Sequence, residues 1–346
     1  MTPTLRILRP DDWHLHLRDG AHMAAVLPFT VQRFARAVVM PNLEPPLTTT
    51  AALGEYRARI LAAVPAGLRF EPLMTLYLTD RTSAQEIRRA RASGFVVGAK
   101  LYPAGATTHS DAGVTSVEHI WPALEAMADT GMVLQVHGEV TETAVDVFDR
   151  EQEFIERVLS RIIERVPGLR VVFEHITTRE AVQFVRAARA GVAATVTPQH
   201  LLLNRNAIFA GGIRPHLYCL PVLKREHDRT ALVEAVTSDD SRFFLGTDSA
   251  PHAVQAKETS CGCAGIFSAH AALELYAEAF EQAGRLDRLQ AFASERGPDF
   301  YALPRNTATL TLRREPWTVP QRYPFGLDEI VPMRGGAQVN WRLDHA

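Results

Sequence analysis

The sequence predicts an α/β fold in which eight parallel strands close into a (β/α)8 barrel, and three observations carry that expectation. Eight short apolar segments recur along the chain, nearly all separated by stretches with helical spacing. The segments are apolar on both faces, as parallel strands are when helices cover them. Histidines, a lysine and an aspartate fall where these segments end, and in a barrel the loops of one face converge there. At 346 residues the chain fits a single unit of this kind.

Taken in order, the first strand ends in Trp13-His14-Leu15-His16-Leu17-Arg18-Asp19-Gly20. Arg36 to Met40 is a second apolar run, stopped by Pro41-Asn42 and followed by helical spacing over 50–64. The beat continues with Arg69 to Leu78 then Ser83 to Ser93, and with Val96 to Leu101 then Ser116 to Thr130 beyond a Gly-rich loop. Val133 to Val136 precedes Asp149 to Val166, and Arg170 to Phe173 precedes Arg179 to Ala190. Ala193 to Thr197 opens a long connection, and Phe243 to Leu245 ends the series before a helix near Ser268 to Ala283. No Gly/Ser-rich linker divides the chain, so one domain is expected over 1–346. Its last part, 298–346, has six prolines between Pro298 and Pro332 and an edge-strand alternation at Thr307 to Arg313, which suggests a segment wrapping over the barrel.

Composition narrows the function. Hydrophobic residues make up 47% and charged residues 22%, enough apolar content for a large core. Lys and Arg number 37 against 39 Asp and Glu without a basic run, which argues against nucleic acid or an anionic membrane as partner and for a small solute. Met1 to Pro10 lacks the apolar core of a signal peptide, and three cysteines are too few for a disulfide framework, so a cytoplasmic location is expected.

The polar residues at strand ends are then informative. His14 and His16 alternate as a strand does, so both imidazoles project from one face, either as a chelating pair or as hydrogen-bonded core histidines. Strand two ends in Asn42, four in Lys100, five in His137, six in His175 and eight in Asp248, while three and seven offer nothing comparable. Lys100 would bury an ammonium among apolar residues, which is unfavourable unless it pairs with Glu139 or Glu174 or becomes an anionic carbamate able to bridge two metals. Asp248, in Gly246-Thr247-Asp248-Ser249-Ala250-Pro251-His252, can ligate a cation and exchange a proton, or simply form a turn. Cys261-Gly262-Cys263 has no second thiol pair for a zinc site, so a Gly-rich loop exposing backbone N–H groups is the favoured use.

With these stretches assembled, the sequence resembles the shorter bacterial dihydroorotases of the amidohydrolase superfamily along essentially its whole length. The resemblance is carried by 11–20, Met40-Pro41-Asn42, 98–103, 134–139, 174–178 and 246–252. It implies two zinc ions per subunit bridged by hydroxide: His14, His16, Asp248 and carboxylated Lys100 would hold one, and the same Lys100 with His137 and His175 the other. It implies that Arg18, Asn42 and His252 bind a substrate carboxylate, that His137 and backbone groups near Leu220 and Ala264 meet the substrate ring, and that Thr107 and Thr108 belong to a mobile loop. A homodimer is implied as well. A hydantoin or cyclic imide hydrolase, needing no carboxylate clamp, and a catalytically dead binding subunit, lacking a ligand, are the rival readings.

Overall fold

The computed structural model describes residues 3–260 and 262–344. A short strand, β1 (Thr4–Leu8), precedes the barrel, whose eight parallel strands are β2 (Asp12–Leu15), β3 (Arg36–Val39), β4 (Glu71–Tyr77), β5 (Val96–Leu101), β6 (Val133–Val136), β7 (Val171–Phe173), β8 (Val192–Val196) and β9 (Phe243–Leu245). They pair in that order, each with its sequence neighbour. The ring closes between its ends: Leu15 bridges Ser249, His16 N–H donates to the Ser249 carbonyl, and Asp248 N–H to the His14 carbonyl.

Alternation explains why the strands read as apolar throughout. Val38, Val172, Ala193 and Phe244 point inward with Trp13, Leu73, Val97 and Val133, whereas Val39, Val171, Phe173 and Ala194 pack outward against the helices. Helices start where a hydroxyl can cap them: Thr49 accepts from Ala52 N–H ahead of Thr50–Ala63, Ser83 from Glu86 N–H ahead of Ala84–Ala92, and Thr178 from Ala181 N–H ahead of Arg179–Ala187.

Several elements depart from expectation. Helix Glu226–Val236 lies within the long connection after Thr197, helix Gly20–Arg33 fills the stretch between the first two barrel strands to which no element is given by name, and β1 precedes the first strand that the sequence suggests. The Thr307 to Arg313 alternation does become a strand, β10 (Thr309–Arg313), but it is the middle strand of a three-stranded sheet, antiparallel to β1 on one side and to Arg342–Leu343 on the other. Its partners lie at the two ends of the chain, which local periodicity cannot reveal. Residues after 298 also help form the barrel's floor, because Tyr301 stacks on Trp13 at 4.4 Å and its hydroxyl accepts from Gln135 Nε2 at 2.8 Å. Gly297 permits this approach, since a Cβ there would stand 1.9 Å from the Trp13 indole nitrogen.

Candidate metal centre and active site

At the opposite end of the barrel β2 delivers His14 and His16 from one face, as the alternation requires, with their Nε2 atoms 3.3 Å apart. Asp248 Oδ1 lies 3.4 Å from His14 Nε2 and 3.1 Å from His16 Nε2. These three buried residues place one ligand atom each within 4.8 Å of one another, the separation a shared cation needs. Two of the other predicted ligands close the ring: the His175 centroid is 4.9 Å from that of His14 and 4.8 Å from that of His137.

The strand termini hold these groups through long-range hydrogen bonds. Asp12 accepts from Thr247 N–H, the Thr247 hydroxyl and His14 N–H, tying the first barrel strand to the last and fixing His14 relative to Asp248. His14 Nδ1 meets Glu174 Oε2 at 2.8 Å, and Glu174 also accepts from the Thr195 hydroxyl at 2.6 Å. Donation from Nδ1 leaves the Nε2 lone pair facing the centre. His137 Nε2 meets Glu139 Oε2 at 3.0 Å, leaving its other nitrogen free in the same way. Gly246 allows the strands to converge, since a Cβ would lie 2.7 Å from Thr195 Cβ. Asp248, His175 and Arg18 have φ of 44°, 41° and 63°, a left-handed conformation that costs non-glycine residues about 1–3 kcal/mol each and concentrates at functional sites.

Electrostatics favour cations here. Burial, with Lys100 adding to it, pushes His14 and His175 well below the usual histidine range, so both imidazoles are neutral and able to ligate. Burial would raise Asp248, but His14, His16 and Lys100 outweigh it and hold the carboxyl at about 2. Lys100 is fully buried, and burial lowers it to about 8 against the opposing pull of Glu174 and Asp248. Its Nζ has no hydrogen-bond partner among the described residues, so neither Glu139 nor Glu174 pairs with it; those carboxylates serve His137 and His14. His175 Nδ1, Glu139 Oε1 and Glu174 Oε1 are likewise buried without partners. A neutral imidazole cluster beside carboxylates and unsatisfied buried atoms fits divalent cations.

A narrow pocket opens over this cluster, lined by His14, His16, Arg18, Asn42, Tyr102, Thr107, Thr108, His137, His175, Leu220, Asp248 and Ala264. Lys100 and His252 are not among its lining. His252 stands beside Arg18, whose Nη2 is 2.8 Å from His252 Nε2 while its Nε donates to the Pro251 carbonyl at 2.8 Å. Arg18 has no carboxylate partner among the described residues: Asp11 pairs with Arg36, Asp19 with Arg59, and Asp12 bonds Thr247. The guanidinium reaches the pocket from a left-handed residue rather than by continued strand alternation. Asn42 Nδ2 donates to the Thr108 carbonyl at 3.1 Å, so the 103–113 loop lies against the site. Cys261 falls outside the described residues, and the Cys263 carbonyl accepts from Lys257 Nζ at 2.8 Å.

Sequence reasoning passed over Thr195, in the seventh barrel strand, one of the two that offered nothing at their ends, as well as the parts played by Asp12 and Tyr102. Thr195 carried one signal, a lone hydroxyl in an otherwise apolar strand that the fold buries. Tyr102, whose hydroxyl is buried without a partner among the described residues, follows Lys100 by two residues and so shares its face.

A barrel with a histidine, aspartate and lysine cluster at its mouth defines a metal-dependent hydrolase class. The model of the amidohydrolase family matches residues 2–320, and the chain belongs to that family. Within it the chain stands with the dihydroorotases: one from Cupriavidus taiwanensis is 65% identical over 342 residues, covering 99% of both chains. The crystal structure of dihydroorotase from Campylobacter jejuni superposes with a TM-score of 0.91 at 35% identity, covering 100% of this chain and 98% of that one. The Saccharomyces cerevisiae dihydroorotase in complex with 5-fluoroorotic acid gives 0.91 at 31% identity, covering 99% and 98%. No described helix is long and apolar enough to cross a membrane.

Proposed function

We propose that the chain reversibly interconverts (S)-dihydroorotate and N-carbamoyl-L-aspartate in pyrimidine biosynthesis. The observation that carries this reading is the placement of Arg18 and Asn42 on the same pocket as the His14, His16 and Asp248 cluster, a cationic anchor beside a hydrolytic centre. The yeast relative's complex with a ring that bears a carboxylate supports it. A homodimer and a cytoplasmic location belong to the same proposal.

Two zinc ions would be held by His14, His16, Asp248 and carboxylated Lys100 on one side and by Lys100, His137 and His175 on the other, supplying Lewis acidity and a water acidified enough to attack at neutral pH. Lys100 is suited to carboxylation because burial favours its neutral, nucleophilic amine. Carboxylation replaces one of the positive charges that depress Asp248 with a negative one, raising the carboxylate toward a useful base. Arg18, Asn42 and His252 orient the substrate carboxylate, Leu220 and Ala264 offer backbone groups to the ring, and Thr107 and Thr108 cover it. Asp248 accepts the proton of the attacking water and delivers it to the departing ring nitrogen. Ring closure runs these transfers backward and consumes a proton, so acid favours the ring.

The test is hydrolysis of dihydroorotate by the zinc-loaded chain, with hydantoin and dihydrouracil alongside. We expect dihydroorotate to be strongly preferred with two metal ions bound per chain; preference for an uncharged ring returns the cyclic imide hydrolase reading. In the same assay Asp248→Asn keeps an oxygen ligand but cannot accept a proton, and turnover is expected to fall about 10²-fold or more while substrate still binds. Near-native turnover by that variant would assign the proton transfer to another group.

A further inference from the structure

Lys257 plays no part in the chemistry above, yet it is only 3% exposed. It ends the short helix Val254–Lys257, and its Nζ donates to three backbone carbonyls: Tyr218 at 2.7 Å, Cys263 at 2.8 Å and Gly265 at 2.7 Å. An ammonium has three N–H donors, so this arrangement uses all of them. The acceptors come from two separate segments. Cys263 and Gly265 flank Ala264, and Tyr218 lies two residues before Leu220; Leu220, Ala264 and Gly265 all line the pocket. The segments also meet directly, through Gly265 N–H to the Tyr218 carbonyl at 3.0 Å. Gly265 has φ of 152° and passes so near Ala250 that a Cβ would lie 2.5 Å from its carbonyl oxygen, so only glycine fits in this wall.

We propose that Lys257 is a positioning residue for substrate: a three-point clamp that holds the 218–220 backbone against 263–265 at the spacing the ring requires, setting affinity without touching the ligand. The proposal rests on the cyclic-amide reading above and extends it. Three things distinguish the clamp from a merely buried lysine. All three acceptors are main-chain groups, both clamped segments line the pocket, and none of the three bonds supports a barrel strand.

Charge state gives the clamp a signature. A neutral amine keeps two N–H donors and turns its lone pair toward the third carbonyl, so deprotonation must release one acceptor. The groups facing Lys257 are the thiols of Cys219 and Cys263, the Arg18 guanidinium, the His252 imidazole, whose Nε2 lies 3.0 Å from the Ala264 carbonyl, and, 5.7 Å from Nζ, the Tyr218 ring; the neighbouring Glu258 is engaged by His216 at 2.9 Å. Burial is the dominant influence and lowers the lysine to about 8. The intact clamp is therefore present below about pH 8 and lost above it.

The experiment compares the zinc-loaded native enzyme with Lys257→Met and Lys257→Arg across pH 6.5–9.5, measuring KM and kcat for dihydroorotate together with bound zinc. Lys257→Met keeps the length but has no donors. It is expected to raise KM about tenfold with kcat within about threefold and zinc unchanged, the pattern of lost ground-state binding. The native KM should climb above about pH 8, and both variants should lack that climb, since methionine does not titrate and arginine stays charged. Native-like KM in Lys257→Met, or an alkaline climb that persists in either variant, overturns the clamp. If the methionine variant does not fold, the Lys257→Arg pH profile alone decides. Absence of dihydroorotate hydrolysis by the native chain overturns the function itself, whereas unchanged KM in the variants overturns only the role of Lys257.

Discussion

Lys100→Ala is expected to lose at least one of the two metal ions and to lower turnover by about 10³-fold or more, since several kcal/mol of charge stabilisation leave with the shared ligand. The Lys100 amine is fully buried with no hydrogen-bond partner among the described residues, set in a ring of histidines and beside an aspartate whose carboxyl is held low. As an ammonium it would repel cations bound to His14 and His16; as an anionic carbamate it would attract and bridge them. The check is elemental analysis of the purified variant together with its rate on dihydroorotate. Carbamates are easily lost in mass spectra, so electron density or a vibrational band from labelled carbon dioxide should report the group in the native enzyme. A bare amine coexisting with two fully occupied zinc sites would remove Lys100 from the bridging role.

Arg18→Ala should lower kcat/KM for dihydroorotate by about 10²-fold or more, because a charge-assisted pair to a substrate carboxylate is lost from a desolvated pocket. Turnover of dihydrouracil, the same ring without the carboxylate, should scarcely change. The contrast is sharp because the structure assigns Arg18 no carboxylate partner of its own: its donors go to the Pro251 carbonyl and to His252, and the nearby aspartates are engaged elsewhere. Its planar fork can add two parallel bonds to an anion, which lysine could not reproduce. Equal losses on both substrates would make Arg18 a structural residue and reopen the case for a cyclic imide hydrolase.

Much of the site was legible before folding because ligand chemistry is carried by residue type, and barrel geometry places strand ends together. His14, His16 and Asp248 converge as that logic requires, and His137 and His175 stand beside them. What stayed hidden are the groups whose importance lies in a partner. Glu174 reads as a candidate counter-ion for Lys100, yet it orients His14 across 160 positions of sequence and is itself held by Thr195. Arg18, two residues beyond His16, would share its face if the strand's alternation continued, whereas the chain has already turned into a left-handed residue there.

The sequence by itself determined the beat of apolar segments, their apolarity on both faces that marks them as parallel strands, and the kinds of side chain at their ends, because each of these is a local property of a few consecutive residues. Only the tertiary structure decided how the barrel closes through Asp12 and Thr247, how Tyr301 seals its floor against Trp13, why β10 is a central rather than an edge strand, and what Lys257 clamps. These contacts join segments tens to hundreds of residues apart. Their energies depend on distances and desolvation that exist only once the ring has closed, so no window of sequence contains them.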